Sequence, residues 1–399
     1  MTREEFLKKG LALGIGFPLL SLFHKSCDDA IEFPQFQTNF SGKVIVIGAG
    51  AAGMAAGYLL NRYGIDFQII EASPNLGGRV KRSADFTNFP IDLGAEWIHT
   101  SPSVLADILN DPEQNANIDF ITYNPQTFQL WNNGKLKDRN FARNFYSEYK
   151  FKNTTWYGFF EKYIVPDFQE KIIVDTPIIE IDYSTDKVKL TSVDDEVFEA
   201  DKIVVTIPIK VLQSNVVSFN PAMPSAKSEA INSIYMGDGL KAFIEFKERF
   251  YPDILLFGGL INAISSDDKT YYDAAFRKDT DKNILGLFTI NEKAAEYATL
   301  NSDEEIIAKI LAELDEIFDG QASQHYVKHV IQNWSKEPYI QGAYSYSFAN
   351  DQEDTVNELL KPLDNKVFFA GEALSIDNQA TVHGACESAY EVVENLLKA

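Results

Sequence analysis

Lys43-Val44-Ile45-Val46-Ile47 runs without a break into Gly48-x-Gly50-x-x-Gly53. Four consecutive β-branched residues suit a strand buried on both faces. From Ala51 to Tyr63 the pattern becomes helical, and Gly64 supplies a stop. Phe67–Glu71 is the next strand, which completes a βαβ unit and predicts a parallel sheet. In such a unit Gly48 makes the tight turn, Gly50 lets the backbone approach a pyrophosphate, and Gly53 brings helix and strand close together. The helix start at Ala51 and Ala52 offers free N–H groups and partial positive charge to phosphates. Glu71 follows Gly50 by about 20 residues, where a carboxylate accepts hydrogen bonds from ribose and disfavours a 2′-phosphate. The fingerprint predicts a dinucleotide, argues against NADP and leaves NAD and FAD open.

Further on, Ile178–Asp182 and Lys187–Leu190 flank a hairpin turn, Glu196–Ala200 follows, and Lys202–Pro208 reads as another buried strand. Lys241–Phe246, Ile254–Phe257, Asn283–Ile290 and Tyr326–Trp334 are strand candidates. Ser302-Asp303-Glu304-Glu305 opens a helix with a capping box, and Gly320 ends it. Residues 100–170 read as irregular structure with a few short helices. The last stretch runs strand (Lys366–Phe369), glycine loop, helix (Val382–Leu397).

A net charge of −22 repels phosphate backbones and argues against nucleic acid. Only Cys27 and Cys386 are present, and the five histidines form no ligand motif, so neither a disulfide framework nor a metal site is expected. At the N-terminus Arg3, Lys8 and Lys9 precede an apolar run from Leu11 to Phe23 that fits an export signal. Thr2–Lys9 resembles a twin-arginine signal with Glu4 in place of one arginine. Cys27, followed by two aspartates, resembles the acylated cysteine of a bacterial lipoprotein. The expectation is an exported protein, periplasmic or lipid-anchored at Cys27, with residues 1–40 as signal and linker.

Several motifs, in one order from residue 43 to the C-terminus, resemble the flavin monoamine oxidase family, which includes polyamine oxidases and lysine-specific histone demethylases. Glu71-Ala72-Ser73-Pro74-Asn75-Leu76-Gly77-Gly78-Arg79 is similar to the family's ExxxxxGGR segment, which implies Ala72, Gly78 and Arg79 at the FAD phosphates. Asp92–His99 resembles the segment passing the flavin ring, implying Gly94, Ala95, Glu96 and Trp97. Val174 sits where a family backbone group meets the adenine. Trp334–Tyr344 is similar to the W-xx-(D/E)-P-Y-xx-G-A-Y element, which implies Trp334 as a cofactor contact. Gly371 and Glu372, then Thr381 and Val382, complete the cofactor set. Lys241 looks like the lysine linked through water to flavin N5, and Tyr344 like one wall of an aromatic cage. Thr381 stands at the second wall, and His99 lies in a Trp-Ile-His run similar to that of polyamine oxidases. Ala343 occupies the place of a flavin-linked cysteine, which implies non-covalent FAD.

The resemblance implies an α/β fold: a Rossmann-type FAD domain (41–100, 170–225 and 340–399) with an interleaved α+β mixed-sheet substrate domain (101–169 and 226–339). It implies an oxidase of a primary or secondary amine, polyamines included, with O2 as acceptor and hydrogen peroxide as product. The catalytic candidates are Lys241, Tyr344, His99 and Thr381. An L-amino-acid oxidase and a flavin-binding surface protein without turnover are the alternatives.

Overall fold

β1 (Lys43–Ile47) lies at the middle of a parallel sheet because none of its apolar side chains can face water: Val44, Ile45 and Val46 are fully buried. The computed structural model describes residues 38–399 apart from 110, 112–113, 145, 259–268 and 347–351. The expected signal and Cys27 lie outside the described residues. After β1 come α1 (Ala51–Arg62) and β2 (Asp66–Ile70), with Val46 opposite Ile69 in parallel register. The chain then forms β3 (Trp97–Ile98), α2 (Val104–Leu109), β4 (Phe120–Tyr123), β5 (Phe128–Asn132), β6 (Lys135–Asp138), β7 (Glu148–Phe151) and α3 (Trp156–Tyr163). It returns through β8 (Ile172–Ile173), β9 (Ile178–Asp182), β10 (Val188–Ser192), β11 (Val197–Ala200), β12 (Lys202–Val205) and β13 (Ser218–Asn220).

A second excursion supplies β14 (Gly239–Phe246), β15 (Ile254–Phe257), β16 (Lys269–Asp273), β17 (Asn283–Ile290), α4 (Asn291–Ala298), α5 (Asp303–Ile317) and β18 (Tyr326–Asn333). β19 (Val367–Phe369) and α6 (Val382–Lys398) close the described chain. The parallel sheet has the order β8-β2-β1-β12-β19, so strands far apart in sequence meet at β1. The mixed sheet has the order β18-β14-β17-β16-β15-β5-β6. This is the expected α/β architecture with a mixed substrate sheet.

The two faces of each sheet serve different ends. Val44 and Val46 pack under α1 and α6, while Ile45, Ile47 and Val205 face a second core. On the mixed sheet Leu240, Ala242 and Ile244 pack against α5 through Ile306, Ile310 and Leu314. Ser302 Oγ accepts the Glu305 N–H at 3.3 Å at the start of α5, as the capping box requires. The opposite face carries Lys241, Phe243, Tyr272 and Phe288 toward the parallel sheet's half of the molecule.

Residues 100–170 are more regular than expected. β5 and β6 form a hairpin about Asn133-Gly134, both at positive φ, and β5 adds in parallel to β15. The α2 and α3 side chains Leu105, Ile108, Phe159 and Phe160 share the core of α1 and α6. A boundary enclosing 101–169 with the substrate domain therefore cuts one hydrophobic core. β16 is a further strand that the sequence reading lacked.

Candidate active site

The glycine turn is shaped partly by packing and partly by what it leaves open. A Cβ on Gly53 would lie 1.9 Å from the Gly48 carbonyl oxygen, so helix and turn can meet only at glycine. A Cβ on Gly50 would meet nothing nearer than Gly77 O at 4.0 Å. Packing does not explain Gly50; a group approaching from outside does. α1 begins there without a side-chain cap and without an acid in its first turn, so the N–H groups near Ala51, Ala52 and Gly53 point at that space.

Glu71 stands just beyond β2. Its carboxylate accepts the Ala49 N–H at 2.6 Å and the Ser73 N–H at 2.8 Å. Burial raises its pKa, and those N–H groups oppose the rise. The Glu71 backbone is bonded to Ile173 and Thr176, which places exposed Val174 alongside. Glu71, Ala72 and Val174 thus gather at one end of the turn. Gly78 lies across from Gly50, a Cβ there being 3.4 Å from the Gly50 Cα.

Arg79 reaches the other end. Its guanidinium donates to Glu372 Oε1 at 2.8 Å and to the Ala343 carbonyl at 3.1 Å. Glu372 also accepts from Ser345 Oγ at 2.6 Å and from the Ala380 N–H at 3.1 Å. Gly371, Glu372 and the Thr381–Val382 start of α6 are thereby tied to the Arg79 loop. Thr381 caps α6: its hydroxyl accepts the Gly384 N–H at 3.0 Å and donates to Asn378 O at 2.7 Å. With the hydroxyl so engaged, Thr381 offers the site its methyl and its position, not a proton.

The Asp92–Trp97 segment lies between the two sheets. A Cβ on Gly94 would be 1.7 Å from the Arg79 carbonyl oxygen, and the Ala95 N–H donates to that oxygen at 3.0 Å. Trp334 supports the segment from behind; it is buried and gives its indole N–H to Leu93 O at 3.1 Å. Lys241 rises from β14 and donates to Asp92 O at 2.8 Å, Gly94 O at 3.1 Å and Glu96 Oε2 at 2.6 Å. All three ammonium protons are directed at this one segment. Burial lowers the Lys241 pKa, and the charge of Glu96 opposes the drop.

Glu96 is the centre of a buried charge cluster that the sequence reading missed. Its Oε1 meets Lys150, and Tyr272 donates to the Oε2 that Lys241 also uses. Burial alone would raise its pKa, but Lys150 and Lys241 outweigh that and hold it at about 2. The Lys150 ammonium lies over the rings of Trp97 at 4.7 Å, Tyr272 at 5.0 Å and Tyr123 at 5.1 Å. Lys278 stands in the same surroundings, lowered to about 8 by burial and by Lys150. Lys150 pairs across from Trp97 in the β3-β7 register, a relation only the fold reveals.

Tyr344 has a parallel partner, and it is Phe288. Their ring centroids are 6.5 Å apart and the planes differ by 7°. Phe288 is also the cross-strand neighbour of Lys241. The alternation of β17 could have put Phe288 on the Lys241 face, but only the β14-β17 register makes them neighbours. His99 Nδ1 lies 3.4 Å from Glu148 Oε2, with its side chain 43% exposed and that of Glu148 5%. Burial lowers the His99 pKa, but the hydrogen bond and charge of Glu148 outweigh it, so the net direction is upward.

A family model described as flavin containing amine oxidoreductase matches residues 164–397, and one described as NAD(P)-binding Rossmann-like domain matches residues 46–111. The chain belongs to the flavin containing amine oxidoreductase family. It is 24% identical to lysine-specific histone demethylase 2 of Homo sapiens over 86% of this chain and 52% of that protein. It thus spans about half the length of that relative. It is also 24% identical to probable polyamine oxidase 4 of Arabidopsis thaliana, over 91% of this chain and 88% of the plant protein. A solved structure from a cofactor-binding redesign of putrescine oxidase shares the fold, with a TM-score of 0.72, 15% identity, and coverage of 90% and 99% of the two chains. Membership in this flavin family implies FAD, and the residues fit it: an unfilled approach at Gly50, an acid at Glu71 and a cation at Arg79, placed at successive points along one face.

Proposed function

We propose that this protein is an FAD-dependent oxidase of a primary or secondary amine, forming an imine that hydrolyses to an aldehyde. The observation that carries the reading is the placing of Lys241 on the Asp92–Trp97 segment, with Phe288 as its cross-strand neighbour and Tyr344 parallel to Phe288. When bound, FAD would supply a two-electron acceptor for the hydride on the carbon beside the amine nitrogen and a route for those electrons to O2, with hydrogen peroxide as product.

The chain's own residues do the rest. Gly50, the α1 N-terminus and Arg79 hold the phosphates, Glu71 with Ala72 and Val174 holds the adenosine end, and Glu372 fixes Arg79. Gly94, Ala95, Glu96 and Trp97 form the wall behind the ring system, with Trp334 bracing it and Thr381 and Val382 closing the far side. Lys241 keeps positive charge at that wall. Tyr344 and Phe288 orient the substrate between apolar surfaces, which favours the neutral amine that must react. His99, paired with Glu148 and partly open to water just after β3, takes up or releases the amine's proton.

Arg79, Arg82 and Arg249 are held in ion pairs, which leaves none of these three for an amino-acid carboxylate. Ala343 beside Arg79 supports a cofactor held without a covalent bond. For the N-terminus we retain export with lipid attachment at Cys27, checked by radiolabelled palmitate incorporation in wild type and Cys27→Ala. The enzymatic reading is tested by mixing the holoprotein anaerobically with amines and amino acids, then admitting oxygen. Amines should bleach the flavin and release peroxide; bleaching by amino acids alone would replace this reading with an amino-acid oxidase.

A further inference from the structure

Glu148 and Lys150 share one face of β7, as residues two apart in a strand must, and both are buried. The register sets Lys150 between Trp97 on β3 and Ile121 on β4. A buried strand position ordinarily takes an apolar side chain, so an ammonium there has to be matched. It is matched twice. Glu96 Oε1 takes its charge, and the rings of Trp97, Tyr123 and Tyr272 surround it with centroids between 4.7 and 5.1 Å away. Lys150 is only 3% exposed, so it is held away from water.

Glu96 also accepts from Lys241 at 2.6 Å. Lys241 and Glu96 alone would cancel. Lys150 brings a second ammonium to the same carboxylate, so the trio keeps one positive charge. Asp92 and Lys278 stand in the same surroundings. Burial and the charge of Glu96 push Asp92 up, while burial and the charge of Lys150 push Lys278 down to about 8. Each is drawn toward its uncharged form, which leaves the sign to the trio.

We propose that Lys150 is a positioning residue that supplies the net positive charge behind the flavin, acting through Glu96 and Trp97, and so favours the reduced cofactor. The inference rests on the FAD-dependent reading. Reduction adds negative charge to the flavin, and charge near the ring tunes how readily it accepts electrons. A buried cation is weakly screened, so it acts at a distance that a surface lysine could not. Lys241 alone does not do this, because Glu96 neutralises it.

The test is a reductive titration of the FAD-loaded protein against an indicator dye, which needs no amine. Lys150→Met should lower the ratio of reduced to oxidised flavin at a fixed potential about tenfold or more, a midpoint about 30 mV lower for a two-electron couple. Glu96→Gln removes the carboxylate and keeps both ammonium groups, so it should raise the ratio by a similar factor. The two changes combined leave Lys241 as the one charge and should return the midpoint to the wild-type value. Lys150→Arg should match wild type as well. Loosened packing would move both single variants the same way, and combining them would not reverse it. Equal midpoints in wild type and Lys150→Met, or shifts of one sign in the two single variants, would overturn the inference. Should Lys150→Met hold no FAD, the inference falls unless Lys150→Arg matches wild type and Glu96→Gln rises. The expected midpoints in a protein whose flavin no amine bleaches would sink the amine oxidase reading and leave this inference standing.

Discussion

Lys241 Nζ lies 2.6 Å from Glu96 Oε2 and donates to the Asp92 and Gly94 carbonyls at the same time, so this lysine is also a strut for the segment it faces. Replacement by methionine removes both the charge and the strut. Lys241→Met should slow reoxidation of reduced flavin by oxygen roughly tenfold or more, the effect of losing about 1.4 kcal/mol of stabilisation. Stopped-flow mixing of the reduced protein with oxygen measures it, and unchanged reoxidation would remove the charge from the oxygen half-reaction.

Among the described residues, Glu96 is the only carboxylate shared by Lys150 and Lys241, both of them buried. Glu96→Gln leaves two buried ammonium groups without that counter-charge. The expected loss is about 3–5 kcal/mol of unfolding free energy, the range for breaking a buried pair. Urea denaturation at neutral pH checks it, and a loss under 1 kcal/mol would mean that water reaches the cluster.

Gly50 and Gly53 should fail in different ways. Gly53→Ala places a methyl on the Gly48 carbonyl and should cost about 1–3 kcal/mol whether or not FAD is present. Gly50→Val fills only open space, so the apoprotein should melt near the wild-type temperature yet show little FAD binding by fluorescence titration. Wild-type affinity in Gly50→Val would move the pyrophosphate elsewhere.

The His99 pKa is raised in the folded protein, so the His99–Glu148 pair stabilises fully below the ordinary imidazole value of 6.5. That contribution is lost as pH rises through the folded-state pKa. The stability difference between wild type and His99→Asn should therefore shrink from pH 6 to pH 8.5. Denaturation at the two pH values tests this; a difference that grows with pH would reverse the assignment.

No thiol stands at Ala343, and Cys386, whose thiol burial pushes upward, is enclosed within α6. Precipitation with trichloroacetic acid should leave the flavin in the supernatant. A yellow pellet would point to a covalent link through another side chain.

The parallel sheet was readable because its strands are continuous apolar runs and its first turn needs glycine for steric reasons. β5 and β6 were missed although Asn133-Gly134 is a hairpin dipeptide, because the aromatic and polar residues around it hid the alternation. What no local pattern could show is register. Phe288 becomes the partner of Tyr344, and Lys150 the occupant of an aromatic box, only when strands from distant stretches align. Trp334 and Thr381 were read as cofactor contacts; the structure gives the indole N–H to Leu93 and the hydroxyl to a helix cap, roles that depend on neighbours absent from either motif.

The Arg79–Glu372 bond joins residues 293 apart in sequence. At a typical synthesis rate of about 5–20 residues per second, Arg79 leaves the ribosome roughly 15–60 seconds before its partner. The first βαβ unit can be complete early, but the clamp around the cofactor cannot. Loading with FAD is therefore a late event in the life of the nascent chain, and a translation product stopped before Glu372 would carry the glycine turn with no means of closing on what it holds.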